Sequence, residues 1–218
     1  MSARIKIDFV SDVSCPWCVI GLKSLQAALG RLDGQVSADI HLQPFELNPQ
    51  MPEEGQDLME HITAKYGSTQ EQVIRNREAI ASRGAQLGFT FDMARRERIY
   101  NTFNAHRLLH WAEVEGGGGR QVALKEALFA AYFTEGRNPS DSQVLVDVAA
   151  SVGLDPERAR AILASDEYAD EVRAREQLYL RSGIHAVPAV ILNDKYLLQG
   201  GQPVEAFEQA LAQVAAGK

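Results

Sequence analysis

Ser14-Cys15-Pro16-Trp17-Cys18 is the stretch whose reading decides the fold. Its two thiols are the only cysteines among 218 residues, and they stand one helical turn apart. An apolar, strand-like run, Ile5-Lys6-Ile7-Asp8-Phe9-Val10, comes just before them. After them Val19, Leu22, Leu25, Leu29 and Leu32 recur every three or four positions. The pattern predicts a strand over 4–11 and a helix over 15–32, with Cys15 at the helix mouth. Unpaired backbone N–H groups and the positive dipole end favour a thiolate there. Pro16 suits the first turn, which has no partner for the N–H that proline lacks. Thiols in such settings titrate at roughly 3.5–7.5 instead of about 8.5. A thiolate attacks a disulfide, and a second thiol at i+3 then displaces the partner from the mixed disulfide. On this reading Cys15 is the nucleophile and Cys18 the resolving thiol.

Two other uses of the pair are weighed against exchange. A structural disulfide closing so short a loop gains little entropy. Zinc would need two further ligands, yet there is no second CxxC to complete such a site. No metal site is therefore expected.

The rest of the composition narrows the setting. A hydrophobic fraction of 45% and a charged fraction of 23% are those of an ordinary globular protein. The net charge of −7, with no basic tract, argues against nucleic acid and against an anionic membrane surface as partners. No apolar run approaches the roughly 20 residues needed to span a bilayer. Met1-Ser2-Ala3-Arg4-Ile5 enters the first strand without a signal-peptide h-region, so a cytoplasmic location is expected. A CxxC pair cycles in that compartment.

Beyond the first helix, Asp33-Gly34 turns the chain into 35–46, which alternates apolar and polar residues and reads as a second strand parallel to the first. Strand, helix and strand make a βαβ unit. From about 53 to 182 the pattern is helical throughout. Helices are expected around Val73–Leu87, over 93–115, over 120–134, from Ser140 or Asp141 as cap, from Asp155-Pro156, and over 167–181. Gly116–Gly119 is a helix-to-helix connection and not a phosphate loop, since no Gly-Lys-Ser/Thr follows it. Strand character returns at Val187–Leu192. Asn193-Asp194 then turns into Lys195–Gln199 as a hairpin, and Val204, Phe207, Leu211 and Val214 mark a last helix.

A CxxC after the first strand, βαβ and ββα halves, and a proline opening the third strand together resemble the thioredoxin fold. The all-helical insertion resembles the DsbA-type branch. Asp12–Cys18, Phe45–Pro49, Asn104–Arg107, Phe133–Asn138, Val187-Pro188 and Gly200-Gly201-Gln202 are similar, in order, to the FrnE-like group of DsbA-family oxidoreductases. The fold class expected is thus α/β, thioredoxin-like with a large helical insertion. Residues 1–50 and 183–218 would form the thioredoxin-like domain and 51–182 the insertion domain. The resemblance implies a cis Val187–Pro188 bond beside Cys15, with Val187 offering its backbone to an extended substrate. Some members of the group carry a second cysteine pair near the C-terminus; this chain has none, so electrons must reach Cys15–Cys18 directly.

Other residues carry weaker expectations. The substrate surface is assigned to Trp17, Val187, Pro188 and His106, although a hydrogen-bonded core role also fits His106. His185 reads as a loop histidine that could stand near the sulfurs. Asp8 and Asp12 flank the strand end as capping or solvated carboxylates, either of which could accept the Cys18 proton. Phe45, Asn48 and Glu135–Arg137 are candidates for lining the cleft between the halves. The function expected is that of a thiol–disulfide oxidoreductase or isomerase acting on a disulfide- or thiol-containing protein or small molecule. It needs no cofactor, glutathione being at most a redox partner. Two alternatives stand beside it. One is a glutathione-dependent isomerase or transferase of the 2-hydroxychromene-2-carboxylate isomerase or kappa-class type, with Ser14 as the activating hydroxyl. The other is a non-catalytic peptide-binding module around Pro188.

Overall fold

Alternation along the first strand sets the layers of the molecule. The computed structural model describes residues 3–116 and 119–217. Met1, Ser2, Gly117, Gly118 and Lys218 fall outside, and with them the reading of the extreme N-terminus and of the middle of the glycine connection. In β1 (Ala3–Ser11), Ile5, Ile7 and Phe9 project to one face while Lys6, Asp8 and Val10 project to the other. The first set is buried against α1 (Pro16–Arg31), through residues including Val19, Leu22 and Leu25. The helix returns the chain to β2 (Val36–Pro44), which pairs parallel with β1 from Ala3↔Val36 to Ser11↔Pro44. This is the expected βαβ unit.

The C-terminal strands complete the sheet. β5 (Ala189–Leu192) pairs antiparallel with β1, with Phe9 opposite Val190, and β6 (Tyr196–Gln199) pairs antiparallel with β5. Asn193 and Asp194 take φ values of 49° and 57°, and the Lys195 N–H donates to the Leu192 carbonyl at 3.1 Å. This is a type I′ turn, whose twist suits a hairpin and whose positive φ asparagine and aspartate tolerate. Strand order is β2-β1-β5-β6. The final helix, α9 (Val204–Ala215), packs on α1 and seals Phe207 and Leu211 into the same core. The fold is thioredoxin-like, α/β, with a helical insertion.

Between β2 and β5 the chain forms β3 (Gln56–Asp57), α2 (Leu58–Tyr66), α3 (Gln70–Gln86), β4 (Arg98–Ile99), α4 (Phe103–Val114) and α5 (Arg120–Phe133). α6 (Ser142–Ser151), α7 (Pro156–Leu163) and α8 (Ala169–Arg181) follow. Side chains cap the start of several of these helices. Thr69 and Gln72 make a capping box on α3, Asp155 caps α7 ahead of Pro156, and Asp141 rather than Ser140 caps α6. α8 covers the second face of the sheet, where Val10, Phe45 and Ala189 meet Tyr179 and Ile184.

The helix expected over 93–115 begins only at Phe103. Residues 93–102 have helix-forming composition, but tertiary contacts override it. Arg98 donates to the Glu54 and Gly55 carbonyls, the Leu58 N–H donates to the Glu97 carbonyl, and β4 pairs with β3 in a short ribbon. Among the described residues no helix is long and apolar enough to cross a membrane.

Candidate active site

Cys15 is the N-cap of α1, with extended φ and ψ of −93° and 112°, and its thiol makes no capping hydrogen bond. The helix starts because the Cys18 N–H reaches the Cys15 carbonyl at 3.1 Å, with Pro16 filling the first turn. Both cysteines are free thiols and buried, Cys15 at 4% exposure and Cys18 at 0%. The Cys15 Sγ lies 3.7 Å from the carbonyl of Val187, and the Val187–Pro188 peptide bond is cis.

Two glycines let these pieces meet. A Cβ on Gly21 would stand 3.0 Å from Pro188 Cγ, so the proline ring sits directly on the α1 backbone. A Cβ on Gly201 would stand 3.0 Å from the Trp17 carbonyl oxygen. The Gly200 N–H donates to the Pro188 carbonyl at 2.8 Å and folds the Gly200-Gly201 turn back toward the helix mouth. Trp17 is half-buried beside this turn, with the Arg83 guanidinium 5.8 Å from its ring. Cys15, Trp17, Val187 and Pro188 thus come from opposite ends of the chain into one patch.

Beneath that patch, Asp12 pins the loop that carries Cys15. Its carboxylate accepts from the Ser14 N–H (3.1 Å), the Ser14 hydroxyl (3.0 Å) and the Leu47 N–H (2.7 Å). His106 Nε2 on α4 is 3.6 Å from Asp12 Oδ1, an ion-pair distance beyond hydrogen-bond length. Burial pushes the Asp12 carboxyl up, but His106 and the two backbone N–H groups outweigh it and hold the group at about 2. Arg96 closes the loop from the other side. It donates from Nη2 to the Ser14 carbonyl (3.1 Å) and from Nε to the Tyr132 hydroxyl (3.1 Å). Burial drives the Cys18 thiol well up, reinforced by Cys15, while the charge of Lys125 on α5 opposes the rise.

Residues 6–212 match the DSBA-like thioredoxin domain. The chain belongs to that family. It is 35% identical to a probable DsbA oxidoreductase from Streptomyces coelicolor, whose crystal structure superposes with a TM-score of 0.89, covering 98% of this chain and 91% of the other. A Bacillus subtilis protein, YwbO, described as uncharacterised, is 26% identical over 213 residues, 97% of each chain. A 2-hydroxychromene-2-carboxylate isomerase shares the fold, at a TM-score of 0.72 and 14% identity over 97% of each chain.

Within this DSBA-like frame the weaker sequence candidates fall in different places. His106 is buried against Asp12. Asp8 lies on the sheet face opposite α1, where Gln43 Nε2 donates to it at 2.6 Å and Lys6 Nζ pairs with it at 3.0 Å. His185 is exposed in the loop before Val187. Phe45 belongs to the core under α8. Asn48 accepts from Lys65 at 2.8 Å, which ties α2 to the loop after β2, and Arg137 pairs with Asp147 at 2.9 Å. Among the described residues no group of three histidine, cysteine, aspartate or glutamate side chains is placed to hold a metal.

Three residues around the DSBA-like site escaped the sequence reading. Gly21 looks like any helix glycine until Pro188 is placed on it. Arg96 sits in Arg95-Arg96-Glu97-Arg98, where nothing in the sequence singles out the one that turns inward. Lys125 did leave a signal, since it stands beside the buried stripe of Leu124, Leu128 and Phe129.

Proposed function

We propose that the chain is a thiol–disulfide oxidoreductase that works through Cys15 and Cys18. The observation that carries the reading is the meeting of two free thiols at the start of α1 with the Val187 carbonyl, 3.7 Å from the Cys15 sulfur. In this scheme the Cys15 thiolate attacks a substrate disulfide. A Cys15–substrate S–S bond forms, the substrate S–S bond breaks, and one substrate thiolate leaves with the electron pair. Cys18, deprotonated, then attacks the Cys15 sulfur and expels the second substrate thiolate. The dithiol ends as a Cys15–Cys18 disulfide, and the substrate has gained two electrons. Run in reverse, the same steps oxidise a dithiol substrate, and the reduction potential sets the direction.

The substrate is a disulfide- or thiol-bearing protein or small molecule lying along Val187 as an added strand, with Trp17 and Pro188 as its platform. His106 acts through Asp12, on the loop that fixes Cys15. The halves at 1–50 and 183–218 carry the chemistry, and 51–182 covers it. Glutathione serves as a redox partner and not as a cofactor, in a cytoplasmic setting. Against the glutathione-dependent isomerase reading stands Ser14, whose hydroxyl is buried and donated to Asp12 instead of facing a bound thiol.

Equilibration in a series of glutathione redox buffers, acid-trapped and read by intact mass, tests the proposal. Loss of two hydrogens with no adduct is expected, at one midpoint between roughly −270 and −120 mV. A persistent single glutathione adduct, or no internal disulfide at any poise, would refute the dithiol mechanism.

A further inference from the structure

The proposed chemistry requires a buried thiol, Cys18, to lose a proton during resolution, and the carboxylates near the strand end are poorly suited to take it. Asp12 is already held ionised by its N–H donors and His106, which makes it a weak base. Asp8 is on the far face of the sheet, engaged by Gln43 and Lys6. His106 Nε2 is directed at Asp12.

Lys125 is different. It is 1% exposed, among the largest fully buried side chains of the molecule. Its place follows from the face of α5 that carries it. Gln121, one turn earlier, is fixed to β2 by accepting from the Leu42 N–H (2.8 Å) and donating to the Leu42 carbonyl (3.0 Å). Two turns later Tyr132 accepts from Arg96, which itself donates to the Ser14 carbonyl. Lys125 lies between these anchors on the same side of the helix, the side that faces β2 and the Ser14 loop before α1. The Phe129 ring is 5.2 Å from its ammonium. Cys18, then Asp12 and Cys15, are the groups whose charge, when ionised, favours its ammonium. Lys125 forms no salt bridge among the described residues, and a buried lysine without one is costly to keep charged. Burial brings this one down to about 8, against the opposing pull of those three groups.

We propose that Lys125 holds the proton that Cys18 gives up when it resolves the mixed disulfide on Cys15. The inference rests on the dithiol reading above. The neutral Lys125 amine takes the proton from the Cys18 thiol, directly or through a water. The Cys18 sulfur bonds to the Cys15 sulfur, the Cys15–substrate bond breaks, and the substrate thiolate leaves with its electron pair. In reverse, the ammonium returns its proton to Cys18 as the internal disulfide is opened at Cys15.

The test follows release of thionitrobenzoate from 5,5′-dithiobis(2-nitrobenzoate) by the reduced full chain in stopped flow, from about pH 6 to about pH 10. The first release reports attack by Cys15, the second reports resolution by Cys18, and their rate ratio is read for wild type, K125M, K125Q and K125R. Methionine and glutamine remove a buried charge without lengthening the side chain, and burying neutral groups in place of an unpaired ion generally preserves a fold. The expected result is a ratio lowered about 10²-fold near pH 7 in all three variants. In K125M and K125Q, recovery should come only at higher pH, where Cys18 ionises unaided. Ratios within about twofold of wild type in the neutral variants would overturn the inference, as would K125R resolving as fast as wild type, because arginine keeps the charge but takes no proton. Wild type releasing a single thionitrobenzoate per chain, with a lasting adduct, would mean that the dithiol reading itself fails, and the inference falls with it.

Discussion

Replacing Asp12 with asparagine probes the ionised carboxylate under the Cys15 loop. The carboxyl is fully enclosed and drops from an ordinary value of 3.8 to about 2 in the folded chain. That displacement is worth about 2.4 kcal/mol of stability at neutral pH. Because the folded value lies below the unfolded one, the stabilisation is complete above about pH 4 and is lost as pH falls through about 2. Roughly half of it survives at pH 3. D12N removes this contribution and turns an NH2 group toward backbone donors at Ser14 or Leu47, which adds a pH-independent cost of about 1–3 kcal/mol. Urea unfolding of wild type and D12N at intervals from pH 7 to pH 3 separates the two. The difference between the proteins should be about 3–5 kcal/mol at pH 7 and should shrink by about 1 kcal/mol toward pH 3. A difference that is constant over this range, or that grows as pH falls, would refute the reasoning that Asp12 is held as an anion by His106 and the loop N–H groups.

Two further outcomes follow from other parts of the structure. G21V should lower stability by about 2 kcal/mol in urea and slow alkylation of Cys15, because the added methyls push Pro188 off the helix; full stability and an unchanged rate would mean that the ring is not seated there. Glu176 is raised from 4.5 to about 7, first by burial and then by the charge of Glu46, with Arg173 pairing to both. Its folded value exceeds its unfolded one, so the stability belongs to the protonated form: it is full below about 4.5 and lost as pH rises through about 7. E176Q should therefore gain in melting temperature over wild type as pH rises from 5 to 8, and an equal difference at both ends would show that the carboxyl titrates normally.

The sequence by itself determined the part of the fold that local chemistry can write. Alternation in Ile5–Val10, the three-and-four spacing after Cys18 and the positive-φ tolerance of Asn193-Asp194 are each read from neighbours a few residues apart. Cys15 at a helix mouth is legible for the same reason, because the apolar strand before it and Pro16 after it leave little choice of boundary. What the tertiary structure decided lies in contacts between residues far apart in the chain. Only the packed chain puts Pro188 on Gly21, reaches Ser14 with Arg96 across 82 positions, and breaks the first ten residues of the helix expected over 93–115 by pairing Arg98-Ile99 with Gln56-Asp57. The same holds for charge. Asp8 and Asp12 look alike in sequence, four residues apart at the end of one strand, yet strand alternation and the loop turn them to different partners. Lys125 has only its place beside the stripe of Leu124, Leu128 and Phe129 to mark it until α5 is laid against β2 and α1. A group's proton affinity depends on the solvent it has lost and the charges it has met, and both are properties of the folded chain.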